Sequence, residues 1–256
     1  MSDSLVHAVE DPDSLPLVLV HGFLSGSDYW SSVISVLRQK RPVIAIDLPG
    51  FGKRCDEPAG DSVAGFATDV LETLDSLGVG RFALLGHSMG GMIAQEMAFL
   101  APQRVSALVL FGTGPEGELP GRFEPIAESR RKIDAEGKSS TIAFIVANWY
   151  VSGRQHPWYG PSLALADQAS VEAVKGGLTA MEGWSGIDYL AHHTMPCLVL
   201  WSDQDKAYPW SQELALWQGI HGARLAVIPH AGHNAHHEKP ALFCALLDDF
   251  LDELPR

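Results

Sequence analysis

The chain has 256 residues, and its 18 basic and 31 acidic side chains give a net charge of −13. With 46% hydrophobic and 19% charged residues it has the composition of a folded globular protein, which excludes intrinsic disorder. The acidic balance argues against nucleic acid or an anionic membrane surface as a partner, because both demand a basic footprint.

At about 150 residues per domain, the length allows between one and two domains. The three cysteines, Cys55, Cys197 and Cys244, are too few and too widely spaced for a disulfide framework or a zinc site. The first residues are acidic and show no basic segment followed by an apolar run, so no signal peptide is expected. No stretch approaches the roughly 18 continuous apolar residues of a membrane span. A soluble, cytoplasmic protein is the expectation.

Short apolar runs alternate with longer helical patterns along the chain. Residues 17–20, 43–46, 82–85, 105–111, 197–201 and 224–228 read as strands. They are continuous β-branched and leucine runs, the pattern of strands covered on both faces. Helical spacing marks residues 29–37, 63–77, 89–100, 213–218 and 242–251 between and after them. Alternating units of this kind predict an α/β fold with a parallel sheet and helices on both faces.

The alternation stops between residues 115 and 190. Residues 126–133, 141–150 and 163–181 all read as helices, and the stretch is rich in aromatics, among them Trp149, Trp158 and Trp184. This predicts a helical cap of residues 115–190 inserted in a core of residues 1–114 and 191–256.

The strongest chemical signal is Gly86-His87-Ser88-Met89-Gly90-Gly91, which follows a strand and opens a helix. That context is the one a G-x-S-x-G nucleophile elbow requires. The turn is so tight that the serine is strained and exposed, and the flanking glycines avoid clashes. The Met89 N–H at the helix start then points at a developing oxyanion. A serine hydroxyl is a poor nucleophile and needs a base. His233 lies in a loop after the last predicted strand and is the candidate. His230, His236 and His237 are read as hydrogen-bonded or exposed histidines, and no metal site is assigned.

The base needs a carboxylate to fix its tautomer. Asp205 follows the strand at 197–201, whereas Gly112-Thr113-Gly114, the other place for such an acid, has none. The neighbouring Asp203 reads as a turn former. The second oxyanion donor falls on His21-Gly22-Phe23-Leu24, as the backbone N–H of Phe23 or, second, of Leu24. Asp47-Leu48-Pro49-Gly50-Phe51-Gly52 reads as a tight loop on the same face.

These pieces, with Glu238 and Pro240 beyond His233, resemble the α/β-hydrolase superfamily over nearly the whole chain. The resemblance implies a mostly parallel sheet of about eight strands or slightly fewer, with the cap inserted after the sixth strand. It also implies the order Ser88, Asp205, His233. With only residues 5–10 before the first apolar run, the usual opening hairpin is expected to be short or missing. Ser202 stands where relatives often have glycine.

The residues fit a serine esterase with Ser88, Asp205 and His233 as triad and the Phe23 and Met89 N–H groups as oxyanion hole. No cofactor is expected, and the partner is an ester with a small to medium apolar acyl or aryl group, since the aromatics of the cap suggest an apolar pocket. Leu24, Trp149, Trp158 and Trp184 are the expected substrate contacts. The same triad would also serve a lactonase or a carbon–carbon bond hydrolase of ring-cleavage diketo acids. A carboxylate substrate would need a basic clamp, for which Arg122, Arg130, Arg131 and Arg154 are candidates. A cofactor-free perhydrolase and a non-turnover small-molecule receptor are further readings of the same residues.

Overall fold

The computed structural model describes residues 15–117 and 120–254. Among these, six strands form one wholly parallel sheet: β1 (Leu17–Val20), β2 (Val43–Ile46), β3 (Phe82–His87), β4 (Val105–Phe111), β5 (Cys197–Ser202) and β6 (Arg224–Ile228). Their order is β2-β1-β3-β4-β5-β6. All six of the apolar runs are therefore strands. The helical segment leaves the sheet after the fourth described strand, not after the sixth, because the count starts at Leu17. Residues 5–10, where a short or missing hairpin is expected, lie outside the described residues.

Ten α-helices are described. They are α1 (Ile34–Leu37), α2 (Val63–Ser76), α3 (Met89–Leu100), α4 (Ile126–Glu136), α5 (Lys138–Ala147), α6 (Tyr159–Ala166), α7 (Val171–Glu182), α8 (Trp210–Gly219), α9 (Ala235–Glu238) and α10 (Pro240–Asp252). Successive strand residues point to opposite faces, so one apolar run feeds two cores. Val18, Val20, Leu84, Leu108 and Leu110 join α2 and α3 in one apolar cluster. Leu17, Leu19, Leu85, Val109 and Phe111 join Leu37 of α1 and Phe243 and Leu247 of α10 in the other.

Two helical readings are corrected. Residues 29–37 are a 3-10 turn (Ser27–Trp30) followed by the four-residue α1, not one helix. Asp47 anchors the start of that 3-10 turn by accepting both the N–H and the hydroxyl of Ser27 at 2.7 Å. Residues 163–181 are two helices, α6 and α7. Ser170 restarts the second by accepting the Ala173 N–H at 3.0 Å, as an N-cap does. Elsewhere the expected limits move by a few residues. α8 begins after Pro209, and α10 begins at Pro240, where a missing N–H is harmless.

The register brings the strand ends together. Val20 pairs with Ile46 and with Gly86, His87 with Phe111, and Phe111 with Leu200. The loops after β1, β2, β3, β4 and β5 thus share one edge, where ligands bind in open parallel sheets.

Candidate active site

Ser88 is the hinge between β3 and α3. Its φ of 57° is in the region that side chains rarely adopt, and its ψ is −124°. The neighbouring glycines explain how this turn is held. A Cβ on Gly86 would lie 2.1 Å from the Gly90 carbonyl, and one on Gly90 would lie 2.3 Å from that of Val20. One on Gly22 would lie 2.9 Å from the Ser88 Cβ. Thr113 fastens the turn from the next strand, its hydroxyl donating to the Ser88 carbonyl at 2.8 Å.

His233 and Asp205 meet as expected. The imidazole Nδ1 and Asp205 Oδ2 are 2.8 Å apart, and both side chains are 1% exposed. The other Asp205 oxygen accepts the N–H groups of Ala207 (2.7 Å) and Tyr208 (3.0 Å). With Nδ1 bound to an acceptor, the imidazole presents Nε2 as its free lone pair. Gly112, at φ 51°, lets the chain pass here, since its Cβ would stand 3.3 Å from both Asp205 Oδ2 and His233 Nδ1.

Ser88, His233, Phe23 and Trp149 line one pocket. Ser88 Oγ and His233 make no hydrogen bond in this arrangement. The Tyr208 hydroxyl is the neighbour of the serine instead, and catalytic hydrogen bonds commonly tighten only with substrate bound. Sequence reasoning missed Tyr208, Ile145, Met181 and Ala207, which also line the pocket. Tyr208 stacks on His233 with centroids 5.6 Å apart and carries its position three residues past Asp205 as the one available sequence signal. Nothing local marks Ile145 or Met181.

Neither the Phe23 nor the Met89 N–H has a backbone acceptor among the described residues. His21 sets the Phe23 loop. Its Nε2 accepts the Leu48 N–H at 3.1 Å, while Nδ1 donates to the Gly22 carbonyl at 2.8 Å. Burial lowers its pKa, which suits that neutral tautomer.

Three expected substrate contacts do not line the pocket. Leu24 is 1% exposed and turned into the core. Trp158 stacks on His237 at 4.4 Å, because the buried imidazole offers a flat partner. Trp184 donates its indole N–H to Glu96 at 3.1 Å. Of the four candidate arginines, Arg122 lines the pocket, whereas Arg130 pairs with Glu182 and Arg131 with Glu128, each at 2.7 Å. Asp203 is not a self-contained turn former; it accepts the His230 N–H at 2.7 Å and so holds the His233 loop.

His87, His236 and His237 are buried supports, whereas His230 is exposed. His237 is hydrogen-bonded to Tyr150 Oη (2.8 Å) and the Tyr29 carbonyl (2.9 Å), and burial pushes its pKa down to about 4. His236 packs between Trp30 and His237, at ring distances of 5.1 and 4.1 Å. His87 reaches the His233 carbonyl at 3.1 Å. Glu213 lies beneath the site, accepting the Thr113 N–H at 3.1 Å. Burial and then the charge of Asp205 raise its pKa well above the carboxylate range.

The chain belongs to the alpha/beta hydrolase fold family, whose sequence profile matches residues 16–240. A relative from Pseudomonas savastanoi, provisionally named carbamate hydrolase RutD, is 27% identical, over 96% of this chain and 97% of that protein. A thermophilic esterase from Thermogutta terrifontis is 25% identical, with a TM-score of 0.85 over 99% of each chain. An N-acyl homoserine lactone degrading enzyme is 26% identical, with a TM-score of 0.79 over 93% of each chain. Such relatives support a hydrolase.

Proposed function

We propose that the protein is a serine hydrolase that cleaves carboxylic esters of small to medium acyl or aryl groups through an acyl-enzyme intermediate. The observation that carries this reading is the strained Ser88 in one pocket with a His233 already bound to Asp205. In this reading His233 Nε2 takes the Ser88 proton as Oγ bonds to the acyl carbon. The Phe23 and Met89 N–H groups hold the oxyanion. The alkoxy bond breaks, and the leaving alcohol takes the proton from His233. Water, deprotonated by the same histidine, then attacks the acyl group and frees Ser88. Asp205 steadies the imidazolium.

Residues 115–190 act as a cap in this reading. Its support is that Ile145, Trp149 and Met181 line the pocket that holds Ser88. A second reading, lactone or carbon–carbon bond hydrolysis of a carboxylate-bearing substrate, is favoured by Arg122 in the same pocket. The test is one preparation assayed on p-nitrophenyl esters, lactones and a ring-cleavage diketo acid. Ester turnover abolished by Ser88→Ala supports the proposal, and turnover of the diketo acid alone contradicts it.

A further inference from the structure

Most of the pocket lining is apolar, from Phe23, Ile145, Trp149 and Met181. Beside the triad residues, two polar side chains enter it: Arg122 and Tyr208. Neither is accounted for by the chemistry above.

Arg122 holds no acid among the described residues. One nitrogen donates to the Glu124 backbone carbonyl at 2.6 Å, and the guanidinium lies over the Phe123 ring, 4.1 Å from its centroid. The adjacent Glu124 carboxylate is engaged elsewhere, by the Ser129 hydroxyl and the Lys132 ammonium, each at 2.6 Å. A guanidinium carries five donors, so most of this fork faces no acceptor of the protein. A half-buried cation without a counter-charge is costly. Burial lowers the Arg122 pKa accordingly.

Tyr208 presents the second donor. It is 2% exposed, and beyond the Ser88 hydroxyl beside it the Tyr208 hydroxyl has no partner among the described residues. Both donors are held in place. Asp205 binds the Tyr208 N–H, and the phenol ring stacks on His233. The Phe123 N–H donates to the Lys206 carbonyl at 2.9 Å, which ties the Arg122 segment to the same loop. The nearby carboxylates are engaged by other partners, Asp205 by His233 and the Ala207 and Tyr208 N–H groups and Glu213 by the Thr113 N–H, so neither forms an ion pair with Arg122. The pocket thus holds a guanidinium that has no ion-pair partner among the described residues.

We propose that Arg122 and Tyr208 form a carboxylate subsite, so that the acyl compound attacked by Ser88 is an ester or lactone bearing a free carboxylate. A planar guanidinium fork and a phenolic O–H match the two oxygens of such a group. This rests on the serine-hydrolase reading and narrows its substrate class.

The test compares the p-nitrophenyl monoester of adipic acid with its methyl diester on wild type, Arg122→Met, Arg122→Lys and Tyr208→Phe. Wild type should prefer the acid by about tenfold or more in kcat/KM, as expected for a charge-assisted hydrogen bond. Arg122→Met should lower that ratio about tenfold, to near one, and Arg122→Lys and Tyr208→Phe should each lower it less. The ratio is read within one preparation, so a partly misfolded variant lowers both rates and leaves it intact. Independently, adipate should slow labelling of wild-type Ser88 by a phosphonate, and the uncharged, non-ester adipamide should not. Turnover of the diester with no preference for the acid, a ratio unchanged by Arg122→Met, or no protection by adipate overturns the subsite alone. No turnover of either ester, with Ser88 inert to the phosphonate, overturns the hydrolase reading as well.

Discussion

Glu238 binds Val151 across 87 residues of sequence, its carboxylate accepting the Val151 N–H at 2.8 Å. Its other oxygen accepts the Gly232 N–H, one residue before His233. The Asn234 N–H donates to the Trp149 carbonyl at 3.1 Å. The loop carrying the candidate base and the end of the pocket-lining helix α5 are therefore fixed to each other.

Glu238→Ala leaves both N–H groups without their acceptor, at a cost of about 1–3 kcal/mol each where they are buried. We expect a lower Tm and a drop in kcat of roughly tenfold or more, from a misplaced His233. Thermal unfolding and ester kinetics on the variant check this. An unchanged kcat would mean that the His233 loop keeps its position without Glu238.

Asp205 and Asp203 separate by role. Asp205→Asn removes the carboxylate on His233 Nδ1 and should lower kcat by about 10³–10⁴. Asp203→Asn keeps an oxygen acceptor for the His230 N–H and should cost less than about tenfold. Steady-state kinetics on both, with circular dichroism to verify folding, decide the order. The reverse ranking would move the acid role to Asp203.

Burial, and then the neighbouring Asp205 charge, raise the Glu213 pKa well above the carboxylate range, which favours the neutral carboxyl. Glutamine copies a neutral carboxyl and still accepts the Thr113 N–H, so Glu213→Gln should keep kcat within about threefold. Glu213→Leu strands that buried N–H and should cost about 1–3 kcal/mol in stability. Denaturant unfolding and kinetics measured together test the pair. A large kcat loss in Glu213→Gln would show that the charged form is needed.

Stability should fall on the acid side. His193 and His237 have pKa values pushed down to about 4, chiefly by burial, and burial also holds His87 and His236 well below the usual range. Between about pH 6.5 and 4 the unfolded chain binds protons that the native state refuses. The stability present above that window is lost as pH falls through it, with a slope near 1.4 kcal/mol per pH unit for each such histidine. Four of them should lower Tm on the order of 10 °C between pH 6 and 5. A Tm that stays flat over this range would mean the histidines protonate without unfolding the chain.

Local constraints were the legible ones. The elbow is spelled out within six consecutive residues, its glycines standing where a Cβ would strike the Gly90 carbonyl, the Val20 carbonyl or the Thr113 side chain. The edge strand β6 kept an apolar run although it is partly exposed, and strands β1 to β5 were legible as apolar runs, since burial on both faces leaves no polar alternation to confuse. The pocket wall was not, because Ile145, Met181 and Tyr208 come from separate elements and meet only through packing. Trp158 and Trp184 misled for the same reason: an aromatic in a helical segment reads alike whether it faces the pocket, His237 or Glu96. The break between α6 and α7 turns on one serine cap, a weak signal inside an otherwise helical pattern.

The central claim is that Ser88 is the acylated nucleophile. Its most direct test is reaction with a small phosphonate, followed by mass spectrometry of the intact chain and of its peptides. One adduct per chain on the peptide holding Ser88, with activity lost in proportion and no adduct in Ser88→Ala, is the predicted result. A fully labelled protein that still turns over ester, or an adduct on another residue, would contradict it.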